Sequence, residues 1–225
     1  MKPRIIAIDG SAASGKSTLA DALARRLNYL HLDTGVMYRA VTWAALQQNI
    51  DPNNKTAVSD LAEKTDIQIV SPQVDDGRQA TVLVNGRDVT WLIRRPKVNA
   101  NVSQVSSYPR VRQVLTRQQR KIARQGPVVM AGRDIGTVVL PNADLKLFIV
   151  ASAEVRARRR YQECIARGED VDFNSLLTSI IRRDKMDREK PISPMIPAPD
   201  AIIINTDNLS RQEVLERVMA LVENS

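Results

Sequence analysis

Residues 10–17 read GSAASGKS, a complete phosphate-binding loop of the form G-x-x-x-x-G-K-[ST]. The run before it, RIIAI at residues 4–8, is short and rich in β-branched side chains, as in a strand buried on both faces of a parallel sheet. After the loop, Leu19, Leu23 and Leu27 recur every four residues, which predicts a helix. A helix that begins at such a loop presents N–H groups and a favourable dipole to an anion, so this context predicts a phosphate site.

The residues of the loop have separate chemical tasks. Gly10 and Gly15 let the backbone approach the phosphates, and Lys16 can reach the β and γ groups. The Ser17 hydroxyl can ligate Mg²⁺. We therefore predict a site for a nucleoside triphosphate, formed by Gly10, Ser11, Ala12, Ala13, Ser14, Gly15, Lys16, Ser17 and Thr18.

Composition restricts the classes of partner. A chain of 225 residues is long enough for one α/β domain with a small inserted lobe. Its net charge of +8 predicts anionic ligands, while an aromatic content of 4% is too low for base-stacking platforms and favours small phosphorylated ligands over nucleic acid. The sequence has no apolar run near the ~20 residues that cross a membrane and no secretory signal, so we expect a cytoplasmic protein.

Metal and disulfide chemistry have little support in the composition. The lone His31 excludes a His-rich zinc site, and it is interpreted as structural. The single Cys164 can close no intramolecular disulfide and is interpreted as an ordinary helix residue.

Strand-like and helical segments alternate along the chain, which predicts a doubly wound sheet with ligands at the carboxyl ends of its strands. Strands 66–70 and 80–84, with a hairpin signal at Asn85-Gly86, predict a small antiparallel insertion. The last helix is predicted to begin at Ser210 with a capping box to Glu213. The five strands of the main sheet are predicted near residues 4–8, 29–32, 127–131, 145–150 and 201–205.

The residues after the strands separate the classes of triphosphate-using protein. The string NKTA at residues 54–57 lacks the final Asp of the guanine-reading motif, which argues against a GTPase. After the third strand, a helicase-like ATPase would favour an acidic pair, whereas this chain has Gly132-Arg133-Asp134. Arg39 and Arg112, with basic clusters at 156–160 and 182–190, add further cations. Phosphoryl transfer to a phosphorylated acceptor needs cations of this kind to converge.

Several longer strings resemble those of the bacterial cytidylate kinase family, and the resemblance spans nearly the whole chain. It implies a P-loop kinase fold, with a five-stranded parallel sheet of order 2-3-1-4-5 flanked by helices and a small antiparallel β insertion. The expected core comprises residues 1–62 and 105–225 with a lid at about 155–190, and residues 63–104 form the monophosphate-binding insertion. The supporting strings are IDGSAASGKST at 8–18, LDTGVMYR at 32–39, SQV at 103–105, PRVR at 109–112, GRDIGTVV at 132–139 and RD at 183–184.

The family resemblance also implies a reaction. The γ-phosphoryl group of ATP would pass to CMP or dCMP in the presence of Mg²⁺, giving ADP and CDP or dCDP. The protein would act on small nucleotides, with no nucleic acid or membrane partner, as a monomer. Two alternatives stay open at this point, namely another small-molecule P-loop kinase, such as a UMP/CMP or adenylate kinase, and a nucleic-acid-stimulated ATPase.

Residue roles follow from the same resemblance. Cytosine presents an amino donor beside two acceptors, and Asp134, Ser103 and Arg112 supply matching groups. Lys190 stands where members of the family usually have an arginine. The expected catalytic residues are Lys16, Arg133, Arg159 and Arg183. The expected substrate-binding residues are Thr34, Tyr38, Arg39, Ser103, Arg112, Arg133, Asp134, Arg183, Asp187 and Lys190.

Overall fold

Helices and strands alternate over most of the chain, as the sequence predicts. The computed structural model describes residues 2–189 and 193–224. Its strands are β1 (Ile5–Gly10), β2 (Leu30–Asp33), β3 (Ile67–Val70), β4 (Thr81–Val84), β5 (Arg87–Asp88), β6 (Val128–Gly132), β7 (Leu145–Val150) and β8 (Ile202–Asn205). Its α-helices are α1 (Lys16–Leu27), α2 (Gly35–Gln47), α3 (Lys55–Lys64), α4 (Pro96–Val105), α5 (Pro109–Gln125), α6 (Ala153–Ala166), α7 (Phe173–Arg188) and α8 (Arg211–Glu223). A 3₁₀ helix (Leu92–Arg94) and a π-helix (Ile135–Val139) complete the described elements.

The main sheet is parallel and has the strand order β2-β6-β1-β7-β8. Counting only the strands of this sheet along the chain gives 2-3-1-4-5, so the predicted fold class is confirmed. Strand β1 pairs with β7, with Ile6 opposite Leu145, and the side chains of Ile6 and Ile8 are completely buried. Burial on both faces explains why these strands appear in the sequence as unbroken apolar runs.

The chain forms two compact units, the first comprising residues 1–28 with 129–225 and the second residues 29–128. Helix α8 closes the first unit and begins with the predicted capping box between Ser210 and Glu213. No helix in the part of the chain that the structure describes is long and apolar enough to cross a membrane.

The second unit contains the antiparallel sheet β3-β4-β5, with the Asn85-Gly86 turn between β4 and β5, as predicted. Helix α4 was not predicted, because it buries only Val98 and Val105 and so gives a weak apolar pattern. Its one clear signal is Pro96 at the first helical turn, a position that proline favours. The compact units do not test the predicted insertion boundaries of 63 and 104, which stay a prediction.

A buried arginine stabilises the small antiparallel sheet. Arg78 is 7% exposed, and its guanidinium lies 2.6 Å from a carboxylate oxygen of Asp76 and 2.6 Å from one of Asp88. The Trp91 indole N–H also donates to Asp76, at 2.7 Å. Because three short strands bury little apolar surface, this hydrogen-bonded cation fixes the loop between β3 and β4 where packing alone is weak.

Gly10 ends strand β1 at a point where a side chain has no room. A Cβ atom built at this position would lie 2.3 Å from the Ile149 carbonyl oxygen, and the residue has φ of +148°. Both the close approach of β7 and the backbone conformation therefore require glycine at the entrance to the phosphate loop.

We expect Gly10→Ala to lower the free energy of unfolding by about 3 kcal/mol or more, because backbone strain and overpacking act together. Gly168→Ala is the matched control, since Gly168 has φ of +73° with nothing within 4 Å of a built Cβ. It should cost only about 1 kcal/mol. Urea unfolding of both variants measures the difference, and equal losses would contradict the close-approach argument.

Candidate active site

The phosphate loop connects β1 to α1, as predicted, and three cationic side chains contact its carbonyl oxygens. The Lys16 ammonium donates to the Ser11 carbonyl at 3.2 Å. Arg156 donates to the Ala12 carbonyl at 3.2 Å and Arg159 to the Ser14 carbonyl at 3.4 Å, both from helix α6. The loop is therefore held by its own lysine and by two arginines of helix α6.

A cavity of about 650 Å³ opens beside the loop within the first unit. This volume is in the range of pockets that enclose a nucleotide-sized ligand. Its lining includes Lys16, Ser17, Arg159, Thr206, Arg211 and Val214. The cavity thus joins the predicted triphosphate site to the start of helix α8.

Arg159, a predicted catalytic residue, lies on the wall of this cavity. Besides the Ser14 carbonyl, its guanidinium donates to the Thr206 carbonyl at 2.6 Å and to the Thr206 hydroxyl at 3.2 Å. These bonds fix the guanidinium between the loop and the end of β8. A direct catalytic role for Arg159 stays a prediction.

Asp9 links the loop-bearing strand to the residues that follow β6. Its two carboxylate oxygens accept from the backbone N–H groups of Ile135 and Gly136, each at 2.7 Å, and the residue is 3% exposed. The pKa of Asp9 is raised to about 6: burial is the largest cause and the negative charge of Asp134 adds to it, while the two N–H donors and Lys16 lower the pKa. Asp9 thereby fixes the backbone next to Arg133 and Asp134.

Arg133 and Asp187 are brought together by the structure. The Arg133 Nε lies 3.0 Å from an Asp187 oxygen, and Arg133 Nη1 donates to the other oxygen at 3.2 Å. Asp187 is 3% exposed, and Asp134, the neighbour of Arg133, is also buried. Two residues predicted to contact substrate therefore form an ion pair between the end of β6 and helix α7.

The other lid residues are placed differently. Arg183 lies on the exposed side of α7 and makes no hydrogen bond or ion pair within residues 2–189 and 193–224. Its guanidinium is available to an anionic ligand. Lys190 lies outside the described residues, so its predicted lid role stays a prediction.

In the second unit, helix α2 and the residue before it account for three predicted substrate residues, Thr34, Tyr38 and Arg39. Thr34 precedes the helix, and the Asp33 carboxylate accepts from the Gly35 N–H at 2.9 Å, which fixes the first turn. Tyr38 is buried, and the Arg112 guanidinium of α5 lies over its ring, 5.6 Å from the ring centroid. Tyr38 thus positions Arg112 by a cation–π contact.

Arg39 points from α2 toward the α4 region. It donates to the Asn99 side-chain oxygen and, at 3.3 Å, to the Ile93 carbonyl. Burial lowers the pKa of Arg39 from its usual value, and nearby Arg94 adds to that effect, while Asp33 opposes it. Excess positive charge at Arg39 favours binding of an anion.

Ser103 lies on α4 four residues after Asn99, on the same side of the helix, with an exposed side chain.

Four residues that the sequence analysis did not assign now stand beside predicted ones. They are Asp9, Asn99, Asp184 and Thr206, and each holds an arginine or a backbone segment in place. Asp9 had a sequence signal, because it directly precedes the phosphate loop. The others form contacts between segments far apart in the chain, which no local pattern reveals.

The fold and the loop define a P-loop kinase-type protein, with the phosphate-loop sequence at the carboxyl end of the central strand of a parallel sheet. A sequence model of the cytidylate kinase family matches residues 6–224. The chain belongs to the cytidylate kinase family.

Individual relatives agree with this assignment. Cytidylate kinase of Chloroflexus aggregans is 49% identical over 217 residues, which cover 96% of this chain and 93% of the relative. Cytidylate kinase of Roseiflexus castenholzii is 49% identical over 221 residues, covering 98% and 94%. That of Bacillus subtilis is 45% identical over 218 residues, covering 97% and 96%.

A solved structure shares the fold at low sequence identity. An uncharacterized protein from Eubacterium ventriosum superimposes with a TM-score of 0.53 over 98% of this chain and 99% of that chain, at 13% identity. This likeness concerns the fold alone.

The raised pKa of Asp9 predicts a pH dependence of stability. A carboxyl whose pKa is 3.8 unfolded and about 6 folded contributes stability that is present below pH 3.8 and is lost as the pH rises through 6. The free energy of unfolding of the parent, minus that of Asp9→Asn, should therefore fall by up to about 3 kcal/mol between pH 4 and 7. Urea unfolding across this range measures it.

Asp200→Asn supplies a control of opposite sign. A hydrogen bond from Lys146 lowers the pKa of Asp200, so its contribution is present above its ordinary pKa and is lost as the pH falls. The free energy of unfolding of the parent, minus that of Asp200→Asn, should rise with pH. The rise should occur at more acidic pH than the fall expected for Asp9→Asn. A flat difference for Asp9→Asn between pH 4 and 7 would contradict the raised pKa.

Proposed function

We propose that this protein transfers the γ-phosphoryl group of ATP to CMP or dCMP, producing ADP and CDP or dCDP. The observation that carries the proposal is its 45–49% identity, over nearly the full chain, to cytidylate kinases. The phosphate loop, the adjoining cavity and the clustered arginines fit the same activity.

On the donor side, the loop and Lys16 bind the triphosphate. Lys16 leaves the Ser11 carbonyl, a neutral partner, and its ammonium stabilises charge on the transferring group. Helix α1 begins at the loop, so its N-terminal N–H groups face the same anion.

Mg²⁺ fits this donor site. Magnesium is usually held by one or two protein oxygens together with substrate phosphates and waters. The Ser17 hydroxyl, which directly follows the loop lysine, is the protein ligand we assign. When bound, Mg²⁺ neutralises charge on the β and γ phosphates.

On the acceptor side, the nucleophile is an oxygen of the CMP phosphate. Because that phosphate is already ionised, no carboxylate need act as a general base. Arg39 and Arg133 are the residues proposed to bind it. Arg133 exchanges the Asp187 carboxylate for the phosphate, an exchange that keeps the guanidinium paired with an anion.

Asp134, Ser103 and Arg112 are proposed to select the base. A carboxylate accepts from the cytosine N4 amino group, while uracil presents an acceptor at the same corner. The buried Asp134 would then face uracil without a hydrogen-bond donor, which costs about 1–3 kcal/mol. Thr34, Tyr38, Arg183 and Asp187 are proposed to complete the acceptor site.

The basic experiment measures ADP release from Mg-ATP with CMP, dCMP, UMP and AMP as acceptors. We expect CMP and dCMP to be preferred. Preference for UMP or AMP would instead indicate another P-loop kinase activity, and turnover that needs nucleic acid but no acceptor would overturn the proposal.

We infer a cytoplasmic monomer, and size-exclusion chromatography with light scattering tests the oligomeric state.

Lys16→Met should lower kcat by at least about 100-fold with the fold intact, because the ammonium that stabilises the transferring charge is lost. Lys55→Met is the matched control, since Lys55 is the first residue of helix α3 as Lys16 is of α1, and is exposed. Steady-state kinetics with CMP measure both. Near-normal kcat for Lys16→Met would contradict the role of the loop.

Asp134→Asn should lower activity with CMP and narrow the difference in kcat/KM between CMP and UMP. The physical reason is that a side-chain amide can donate to the uracil O4 atom, which a carboxylate cannot. Asp60→Asn, a change at an exposed carboxylate, should leave the ratio unaltered. Equal kcat/KM for CMP and UMP in the parent protein would refute this account of base selection.

A further inference from the structure

Arg156 connects three parts of the first unit through one buried guanidinium. It is 3% exposed, and its Nε donates to the Ala151 carbonyl at 2.9 Å. Its Nη1 donates to the Ala12 carbonyl at 3.2 Å and to an Asp184 oxygen at 3.0 Å, and Nη2 donates to the other Asp184 oxygen. Helix α6, helix α7 and the phosphate loop therefore meet at this side chain.

The loop residue next to this contact has an unfavourable backbone conformation. Ala13 has φ of +60°, the left-handed region in which a Cβ atom is disfavoured. Such conformations persist only where the surrounding structure enforces them. The Ala13 side chain is exposed, so the constraint comes from its backbone neighbours.

Arg156 contacts the peptide group that joins Ala12 to Ala13. In a planar trans peptide the C=O and N–H groups point in opposite directions. A guanidinium that holds the Ala12 carbonyl therefore also fixes the direction of the Ala13 N–H, which points away from Arg156. The Arg159 guanidinium and the Thr206 hydroxyl both donate to the Ser14 carbonyl, each at 3.4 Å. They therefore fix the direction of the Gly15 N–H in the same way.

Stability alone is a weak explanation for the Arg156–Asp184 pair. Burying an arginine and a carboxylate incurs desolvation that their attraction often only balances, and an apolar pair of similar size is frequently as stabilising. What an apolar pair cannot do is orient a backbone carbonyl. The pair also connects to α7, because Asp184 and Asp187 are the two buried residues of that helix.

We propose that Arg156, held by Asp184, is a positioning residue that keeps the phosphate loop in the conformation that binds the donor nucleotide, and that it couples the docking of helix α7 to that conformation. This inference rests on the proposed function in one respect, namely that the loop binds ATP and ADP. It does not depend on which acceptor is used.

The test measures the Kd of Mg-ADP by titration calorimetry in the full-length protein. Arg156→Lys keeps the charge, but one ammonium cannot serve two carbonyls and both carboxylate oxygens. We expect ADP binding about tenfold weaker, the factor associated with one charged contact. Arg158→Ala is the matched control, because Arg158 lies on the same helix, is exposed and makes no hydrogen bond or ion pair within the described residues.

A double-mutant cycle with Ala13→Gly distinguishes positioning from a structural role. Glycine adopts positive φ without strain, so a loop with glycine at this position depends less on Arg156. Whatever Ala13→Gly does to ADP binding by itself, the loss of affinity caused by Arg156→Lys should be smaller in the Ala13→Gly background than in the parent, about threefold instead of about tenfold. If Arg156→Lys fails to fold, Asp184→Asn takes its place in the same cycle.

Two results would overturn the proposal. One is ADP affinity within twofold of the parent in the folded Arg156→Lys or Asp184→Asn variant. The other is a loss that Ala13→Gly leaves unchanged, since additive effects show that the pair does not act through the loop. A parent protein that binds ADP but does not phosphorylate CMP would refute the proposed function and leave this comparison intact.

Discussion

The concentration of positive charge is the constraint on which the site's structure depends, because each cation needs a partner that holds it in place. Lys16 donates to a backbone carbonyl and Arg39 to an asparagine oxygen. Arg133 is instead paired with Asp187, and Arg156 with Asp184. These partners hold the cations in place before substrate arrives, which lowers the cost of rearrangement when an anion binds.

The two kinds of partner imply different behaviour. A neutral partner leaves the potential of the cation available, and the pKa of Arg39 is lowered by its burial first and by nearby Arg94 second. A carboxylate partner must be displaced, so Arg133 binds an anion only by exchange. Asp9 belongs to neither kind, because it accepts from backbone N–H groups and thereby fixes the chain beside Arg133 and Asp134.

The features that could be predicted from the sequence are those encoded locally. The phosphate loop, the five sheet strands and the Asn85-Gly86 hairpin depend on short patterns, and all are present. Helix α4 was missed because it buries few apolar residues. Because that helix was not predicted, the contact between its residue Asn99 and Arg39 was not predicted either.

The roles of individual arginines were not encoded locally. Residues 156–160 include four arginines, and helical periodicity alone does not identify the one that is buried. The answer depends on Asp184, which lies 28 residues further along the chain. The left-handed conformation of Ala13 was equally hidden, because alanine carries no sequence signal for positive φ.

Helix α7 has a consequence of its own. Its two buried residues are carboxylates that pair with Arg133 and Arg156, while Phe173 packs edge-on against Tyr161 of α6. Dissolved ions compete with the partly exposed Arg133 contact, whereas the buried Arg156 contact is screened much less. Salt therefore weakens the attachment of the helix at Arg133 more than at Arg156.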